Sequence, residues 1–207
     1  MMEIEPLPID GLLLVTPQQH ADDRGVFLEA FRGDLVAQRL GHRPDVVQAN
    51  VSTSSRGTVR GIHFADVPPG QGKYVMALSG ALLDVVVDIR VGSPTFGQWE
   101  AVHLDPTTRR AVYVSEGLGH AICALEDDTT AMYLCTATYD PAAEHGVHPL
   151  DPELAIDWPG SVTPLLSAKD AAAPTLAEAE RAGLLPRWDT CRDWAAELAA
   201  RHSRPKA

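Results

Sequence analysis

His63, in the segment Arg60-Gly61-Ile62-His63-Phe64, and Lys73, after Pro68-Pro69-Gly70-Gln71-Gly72, stand on either side of a Pro/Gly-rich turn. These residue types suit proton transfer. An imidazole titrates near neutral pH and can act as a general base. A fixed ammonium can hold the oxyanion that forms when a proton leaves a carbon next to a carbonyl. A third group, Tyr133 in Met132-Tyr133-Leu134-Cys135, could return the proton as an acid. A lone histidine or tyrosine on a strand is more often structural, so residue type alone leaves both readings open.

Other chemistries lack their parts. Small barrels that bind a metal usually carry a His-x-His pair, but two residues after His63 comes Ala65. Of the histidines, only His63 and His120 lie in strand-like apolar contexts. Two ligands without a close carboxylate are too few for a catalytic metal, and none is expected. There is no Gly-x-Ser-x-Gly elbow, no histidine near a reactive cysteine, and no Gly-x-Gly-x-x-Gly or Walker loop. Gly117-Leu118-Gly119-His120 is followed by a strand pattern, which disqualifies it as a phosphate loop.

The proton-transfer candidates must be held by the surrounding elements. The chain has 207 residues, enough for one domain with a real core or one domain plus a helical tail. We divide it into a domain over 1–187 and a helical tail over 188–207. The turn between His63 and Lys73 leads into the most apolar run, Ala81-Leu82-Leu83-Asp84-Val85-Val86-Val87-Asp88-Ile89. Strands are expected at about 12–15, 45–52, 57–63, 73–79, 81–90, 98–104, 110–115, 119–125 and 130–139, with turn residues between them. Residues 1–20 otherwise read as an extended lead-in, and Glu29, which interrupts the apolar run 26–31, reads as an outward strand position. Residues 33–41 read as a short helix ended by Gly41. Residues 140–173 read as loop. A capping box from Thr175 to Glu178 starts a helix that runs to about 182, and a second helix spans about 189–201. Residues 202–207 are expected to fray. Many short strands without intervening helices indicate an antiparallel sandwich or barrel.

The net charge of −11 argues against a nucleic-acid binder. No apolar run approaches the roughly 20 residues that span a bilayer. The acidic start Met1-Met2-Glu3-Ile4-Glu5-Pro6 has no signal-peptide character, and Cys123, Cys135 and Cys191 show no metal-type spacing. Cys123 and Cys135 read as small core residues. A cytoplasmic, reduced protein without membrane or nucleic-acid partners is expected.

A set of motifs adds a resemblance. Arg24-Gly25, Glu29, Gln48-Ala49-Asn50, Arg60-Gly61-Ile62-His63-Phe64, Pro69-Gly70-Gln71-Gly72-Lys73, Asp84 to Arg90, Gly92 to Trp99, Gly119-His120-Ala121, Tyr133-Leu134-Cys135-Thr136, Ile156-Asp157-Trp158-Pro159 and Leu166-Ser167-Ala168-Lys169-Asp170 follow in colinear order. Together they make the chain similar to the dTDP-4-dehydrorhamnose 3,5-epimerase family over about residues 10–185. The resemblance implies an all-β, cupin-type double-stranded β-helix (jelly roll) with short C-terminal helices. It also implies a homodimer, no metal or organic cofactor, and a dTDP-4-keto-6-deoxyhexose substrate. By position it makes His63 the base, Asp170 its carboxylate partner, Lys73 the holder of the C4 oxygen and Tyr133 the acid on the opposite face. Arg24, Glu29, Gln48, Asn50, Arg60, His120, Glu144 and Lys169 would line the nucleotide-sugar site, and Tyr139 would stack on the thymine.

Two departures stand out. Leu134 occupies a position where rhamnose-pathway members carry a basic residue, and His148-Pro149-Leu150-Asp151-Pro152 replaces a tryptophan-led segment. Both features are similar to the branch that makes deoxysugars for natural products, where some members invert only C3 or only C5. Inversion at C3, at C5 or at both therefore stays open. A monoepimerase acting on a modified dTDP sugar, a non-catalytic nucleotide-sugar-binding cupin and a metal-dependent cupin oxygenase are the rival readings. The Tyr133/Asp170 set argues against the related 3,4-ketoisomerases.

Overall fold

Alternating apolar residues along short strands give each strand one face to bury, and here two sheets bury those faces against each other. The computed structural model describes residues 2–203. Its larger sheet has six strands in the order β1 (Glu3–Pro6), β2 (Leu12–Thr16), β10 (Ala111–Val114), β7 (Lys73–Ser79), β12 (Thr129–Cys135) and β5 (Gln48–Ser54). The smaller has five, β13 (Glu144–Gly146), β6 (Val59–Ala65), β11 (Gly119–Ala124), β8 (Leu82–Val87) and β9 (Trp99–Leu104). A separate hairpin joins β3 (Gln19–Asp22) to β4 (Gly25–Leu28). The strand pairs within both sheets are antiparallel. The helices are α1 (Gly33–Leu40), α2 (Ala168–Ala171), α3 (Leu176–Arg181) and α4 (Trp188–His202). Among the described residues, no helix is long and apolar enough to cross a membrane.

Three apolar layers hold this arrangement. Between the sheets, Val75, Ala77, Val112, Val114 and Ala131 meet Leu82, Val86, Leu104 and Ile122. Outside the smaller sheet, Ile62, Phe64, Val85 and Val87 pack against Val147, Leu154, Leu176 and Ala179. Outside the larger sheet, Leu13, Val15, Tyr74 and Met76 pack against Val36 of α1. Each fully buried aliphatic side chain contributes roughly 1.5–3 kcal/mol, so the sandwich is rigid where it is filled.

The expected strands form, with shifted ends. The run expected over 81–90 leaves its ladder after Val87, because Asp88 turns to accept hydrogen bonds from the side chains of Arg90, Ser93 and Thr95. The stretch read as an extended lead-in carries β1 and the start of β3, which continues to Asp22, and the segment 140–173, read as loop, holds β13 and α2. All four are short and polar; β1 and β3 form by pairing with the next strand in the chain, β2 and β4, whereas β13 and α2 form against the distant β6. The capping box forms as read: the Glu178 N–H donates to Thr175 Oγ1 at 3.3 Å and the Thr175 N–H donates to Glu178 Oε2 at 2.9 Å. The α4 segment lies against the sandwich, with Arg90 stacked 4.4 Å from the Trp188 ring centroid and Cys191 buried. Cys123 and Cys135 are buried too, Cys135 on the side of β12 that faces the space between the sheets. Of the residues expected to fray, His202 ends α4, while residues 204–207 lie outside the described residues.

Candidate active site

Strand alternation decides which side chains face the space between the sheets. On β7, Val75 and Ala77 point inward, so Lys73 does too; on β12, Ala131 sets the same parity for Tyr133 and Cys135. On β8, Leu82 and Val86 carry Asp84 inward, and on β11 Ile122 carries His120 inward. On β6, Ile62 and Phe64 belong to the outer layer, which leaves His63 facing in. At this end of the sandwich the apolar filling gives way to a cavity of about 370 Å³. Asn50, Arg60, His63, Lys73, His120, Tyr133, Tyr139, Glu144, Lys169 and Asp170 all line it.

Gly61 lets β6 sit close enough to β11 to aim His63. Its φ is +125°, and a Cβ there would lie 2.5 Å from the His120 carbonyl oxygen and 2.7 Å from Ala121 Cα. His63 then stands opposite His120 in register. From the far end of the chain, α2 brings Asp170 to within 2.7 Å of His63 Nε2. The Ser167 hydroxyl caps α2 by accepting from the Asp170 N–H at 3.0 Å. Burial penalises the Asp170 carboxylate, but interactions with His63, Ser167 and the Gly61 backbone outweigh that and hold its pKa below the ordinary value. With Nε2–H donated to Asp170, Nδ1 is left as the basic nitrogen.

The opposing sheet supplies the other two groups. Loss of water around Lys73 pulls its pKa down, while Glu144, Cys135 and Asp84 push the other way. Burial raises the Tyr133 phenol to about 12, so it stays protonated at neutral pH. Its hydroxyl lies 3.4 Å from Ser52 Oγ. Arg60 reaches across from the smaller sheet, donating from Nε to Ser54 Oγ at 3.0 Å.

Three residues expected at the site do not line this chain's own cavity. Arg24 lies on the exposed β3–β4 hairpin, paired with Asp22. Glu29 is exposed and paired with Arg32 at 3.2 Å. Gln48 stands behind the rim, where it donates to Asn50 Oδ1 at 3.0 Å and accepts from the Tyr139 N–H at 2.9 Å. Conversely, Ser52, Gln71 and Ser167, given no site role from the sequence, line the cavity, as does Cys135, read there as a core residue. Asp84, given no site role from the sequence, stands beside His120 at the cavity. It is fully buried, 2.8 Å from His120 Nε2, and its other oxygen has no hydrogen-bond partner among the described residues. The signal was present: a carboxylate in the middle of the most apolar run needs a partner. A second cavity of about 370 Å³ lies under α4, between Arg90, Trp188 and Trp194, and contains none of the candidate groups.

A sequence profile described as dTDP-4-dehydrorhamnose 3,5-epimerase matches residues 6–178. The chain belongs to this family. It is 60% identical to a dTDP-4-dehydrorhamnose 3-epimerase of Streptomyces niveus over 92% of this chain and 91% of that one. It is 54% identical to a dTDP-4-dehydrorhamnose 3,5-epimerase of Mycolicibacterium smegmatis over 92% and 94%. Among solved structures, a 4-keto-6-deoxy sugar epimerase from the novobiocin biosynthetic gene cluster of Streptomyces spheroides superposes with a TM-score of 0.90 at 59% identity, covering 92% of this chain and 96% of that one. The two-sheet sandwich is thus the cupin-type fold of the epimerases. Overall identity does not separate a 3-epimerase from a 3,5-epimerase, because relatives of both kinds are close.

Proposed function

We propose that the protein is a cytoplasmic isomerase that epimerises a dTDP-4-keto-6-deoxyhexose at C3, C5 or both, using only its own side chains. The observation that carries this reading is the placement of the His63–Asp170 pair on one side of the cavity, with Lys73 and Tyr133 on the opposing sheet. C3 and C5 both flank the C4 ketone, so each C–H is acidified by the same carbonyl. Nδ1 of His63 takes the proton, and the electron pair of the broken C–H bond moves onto the C4 oxygen. Lys73 stabilises that enolate more than it stabilises the ketone, which is what lowers the barrier. Tyr133 then gives its proton to the carbon from the other face, and the configuration inverts. Asp170 orients the imidazole and stabilises the imidazolium.

The relatives' names support both a double and a single epimerisation. In the binding part of the proposal, Arg60, Asn50, Glu144 and Lys169 hold the nucleotide sugar and Tyr139, 56% exposed at the rim, offers its ring to the base. Arg24 and Glu29 join the site through a homodimer. The hairpin that carries Arg24 pairs with neither sheet of its own chain and exposes Phe27 by 70%, while the edge strand β5 exposes Val51 by 63%. A second copy covering these surfaces would bring Arg24 and Glu29 to the other subunit's cavity; a monomer by light scattering would remove this part.

The test is NMR of authentic substrate in deuterium oxide with pure protein. Deuterium should enter at C3, at C5 or at both, and the site-resolved pattern distinguishes a monoepimerase from a double epimerase. Binding of dTDP with no exchange at either carbon would instead identify a non-catalytic nucleotide-sugar-binding cupin.

A further inference from the structure

Lys73 opens β7, flanked in register by Val114 of β10 and Cys135 of β12. Just past these strand ends, a polar chain ties the same three strands together. The Gly72 N–H donates to Thr136 Oγ1 at 2.8 Å, and the Thr136 hydroxyl donates to Glu116 Oε1 at 2.8 Å. The Thr136 N–H closes the loop by donating to the Gly72 carbonyl oxygen at 3.0 Å. A hydroxyl has one proton to give, so a threonine that accepts from Gly72 and donates to Glu116 is fixed in rotamer and direction. The contact is tight. A Cβ on Gly72 would stand 2.7 Å from the Tyr113 hydroxyl oxygen and 2.8 Å from Glu116 Oε1. Neither Thr136 nor Glu116 lines the candidate cavity, so neither is placed to touch the sugar.

We propose that Thr136 and Glu116 are positioning residues for Lys73. They fix the residue before it, and with it the direction in which the lysine leaves the strand. A lysine is a compact charge on a flexible stem, so its backbone anchor must be held for the ammonium to meet one oxygen reproducibly. Misplacing such a group by about 1 Å can cost roughly 100-fold in rate. The inference rests on the epimerase reading, with Lys73 as the enolate's cation.

The experiment compares Thr136→Val, Thr136→Ser and Glu116→Ala with the wild type, measuring kcat for deuterium exchange and the Kd for dTDP. The valine variant keeps shape and loses the hydroxyl. It is expected to lower kcat roughly 100-fold with the dTDP Kd within about two-fold of wild type. Serine restores the hydroxyl and is expected to recover most of the rate. Glu116→Ala should repeat the valine result, and it decides the matter if the valine variant does not fold. Equal kcat in the valine and serine variants overturns the proposal, as does a loss of dTDP affinity as large as the loss of kcat. Absence of exchange by the wild type would fault the epimerase reading instead.

Discussion

Replacing Asp170 by asparagine tests the catalytic reading at its most constrained contact. The carboxylate oxygen is 2.7 Å from His63 Nε2, and Asp170 is 5% exposed. As His63 takes a proton, the pair changes from a neutral imidazole beside a carboxylate to an ion pair. At an effective dielectric of about 20, two unit charges about 4 Å apart attract by about 4 kcal/mol. The His63 side chain is 32% exposed, so water screens part of this and about 2–4 kcal/mol remains. That corresponds to roughly a 30- to 1,000-fold loss in kcat. Asparagine adds a second fault, because its amide can donate to Nε2 and move the imidazole proton onto Nδ1, where the base is needed. The assay is the rate of deuterium uptake, with dTDP affinity as the control. An Asp170→Asn protein that exchanges within about three-fold of the wild type would refute the reasoning. The pH dependence has a definite sign. Asp170 is held below the ordinary carboxyl value of 3.8, so its contribution to stability is present above that value and is lost as pH falls through the folded pKa. Wild type and variant should therefore converge in stability only in strong acid, and a loss of activity near pH 6 would belong to another group.

Four further outcomes are expected. Tyr133→Phe keeps the ring but removes the donor; proton removal should persist at one carbon, while inverted product falls by roughly 10²- to 10⁴-fold, read by NMR. Exchange and inversion falling together would contradict the acid role. Because the phenol is held at about 12, the wild type should not lose activity through Tyr133 ionisation below about pH 11. Lys73→Met should abolish exchange yet stabilise the fold, since a lowered lysine pKa means that the cation costs stability at neutral pH. A higher Tm is expected, and a lower Tm would contradict it. Gly61→Ala should cost roughly 2 kcal/mol or more in urea unfolding, because the new Cβ meets backbone atoms of β11 at 2.5 and 2.7 Å; a change under about 0.5 kcal/mol would show that β6 can move freely.

The sequence was most legible where its signals are local. The strand runs, the Gly41 helix stop and the Thr175/Glu178 capping box all formed, because each depends on residues within a few positions of one another. The site was less legible for the opposite reason. His63 and Asp170 are 107 positions apart, and nothing in their neighbourhoods announces the contact; family resemblance supplied it. Glu144 sits on a three-residue strand whose Glu-His-Gly sequence has little intrinsic strand preference, and the strand exists because β6 offers an edge. Asp84 could have been read from the pattern alone, since it shares a face with Leu82 and Val86 and cannot be buried there unpaired.

The same alternation bears on the two departures from the family pattern. Tyr133 and Cys135 face the cavity, so Leu134 between them must face out, and it packs in the layer with Tyr74, Met76 and Val36. The 148–152 segment is likewise anchored away from the cavity: Asp151 is buried and accepts from the Leu176 N–H at 2.7 Å, tying the segment to α3. Neither departure therefore lines the cavity, however well each marks a branch of the family. Under the proposed mechanism, a choice between C3 and C5 would depend on how the sugar ring sits between His63 and Tyr133, and Ser52, Gln71, Cys135 and Ser167 complete the cavity lining around those groups. On that reading these four positions, rather than Leu134, are where a difference between single and double epimerisation would have direct physical access to the substrate.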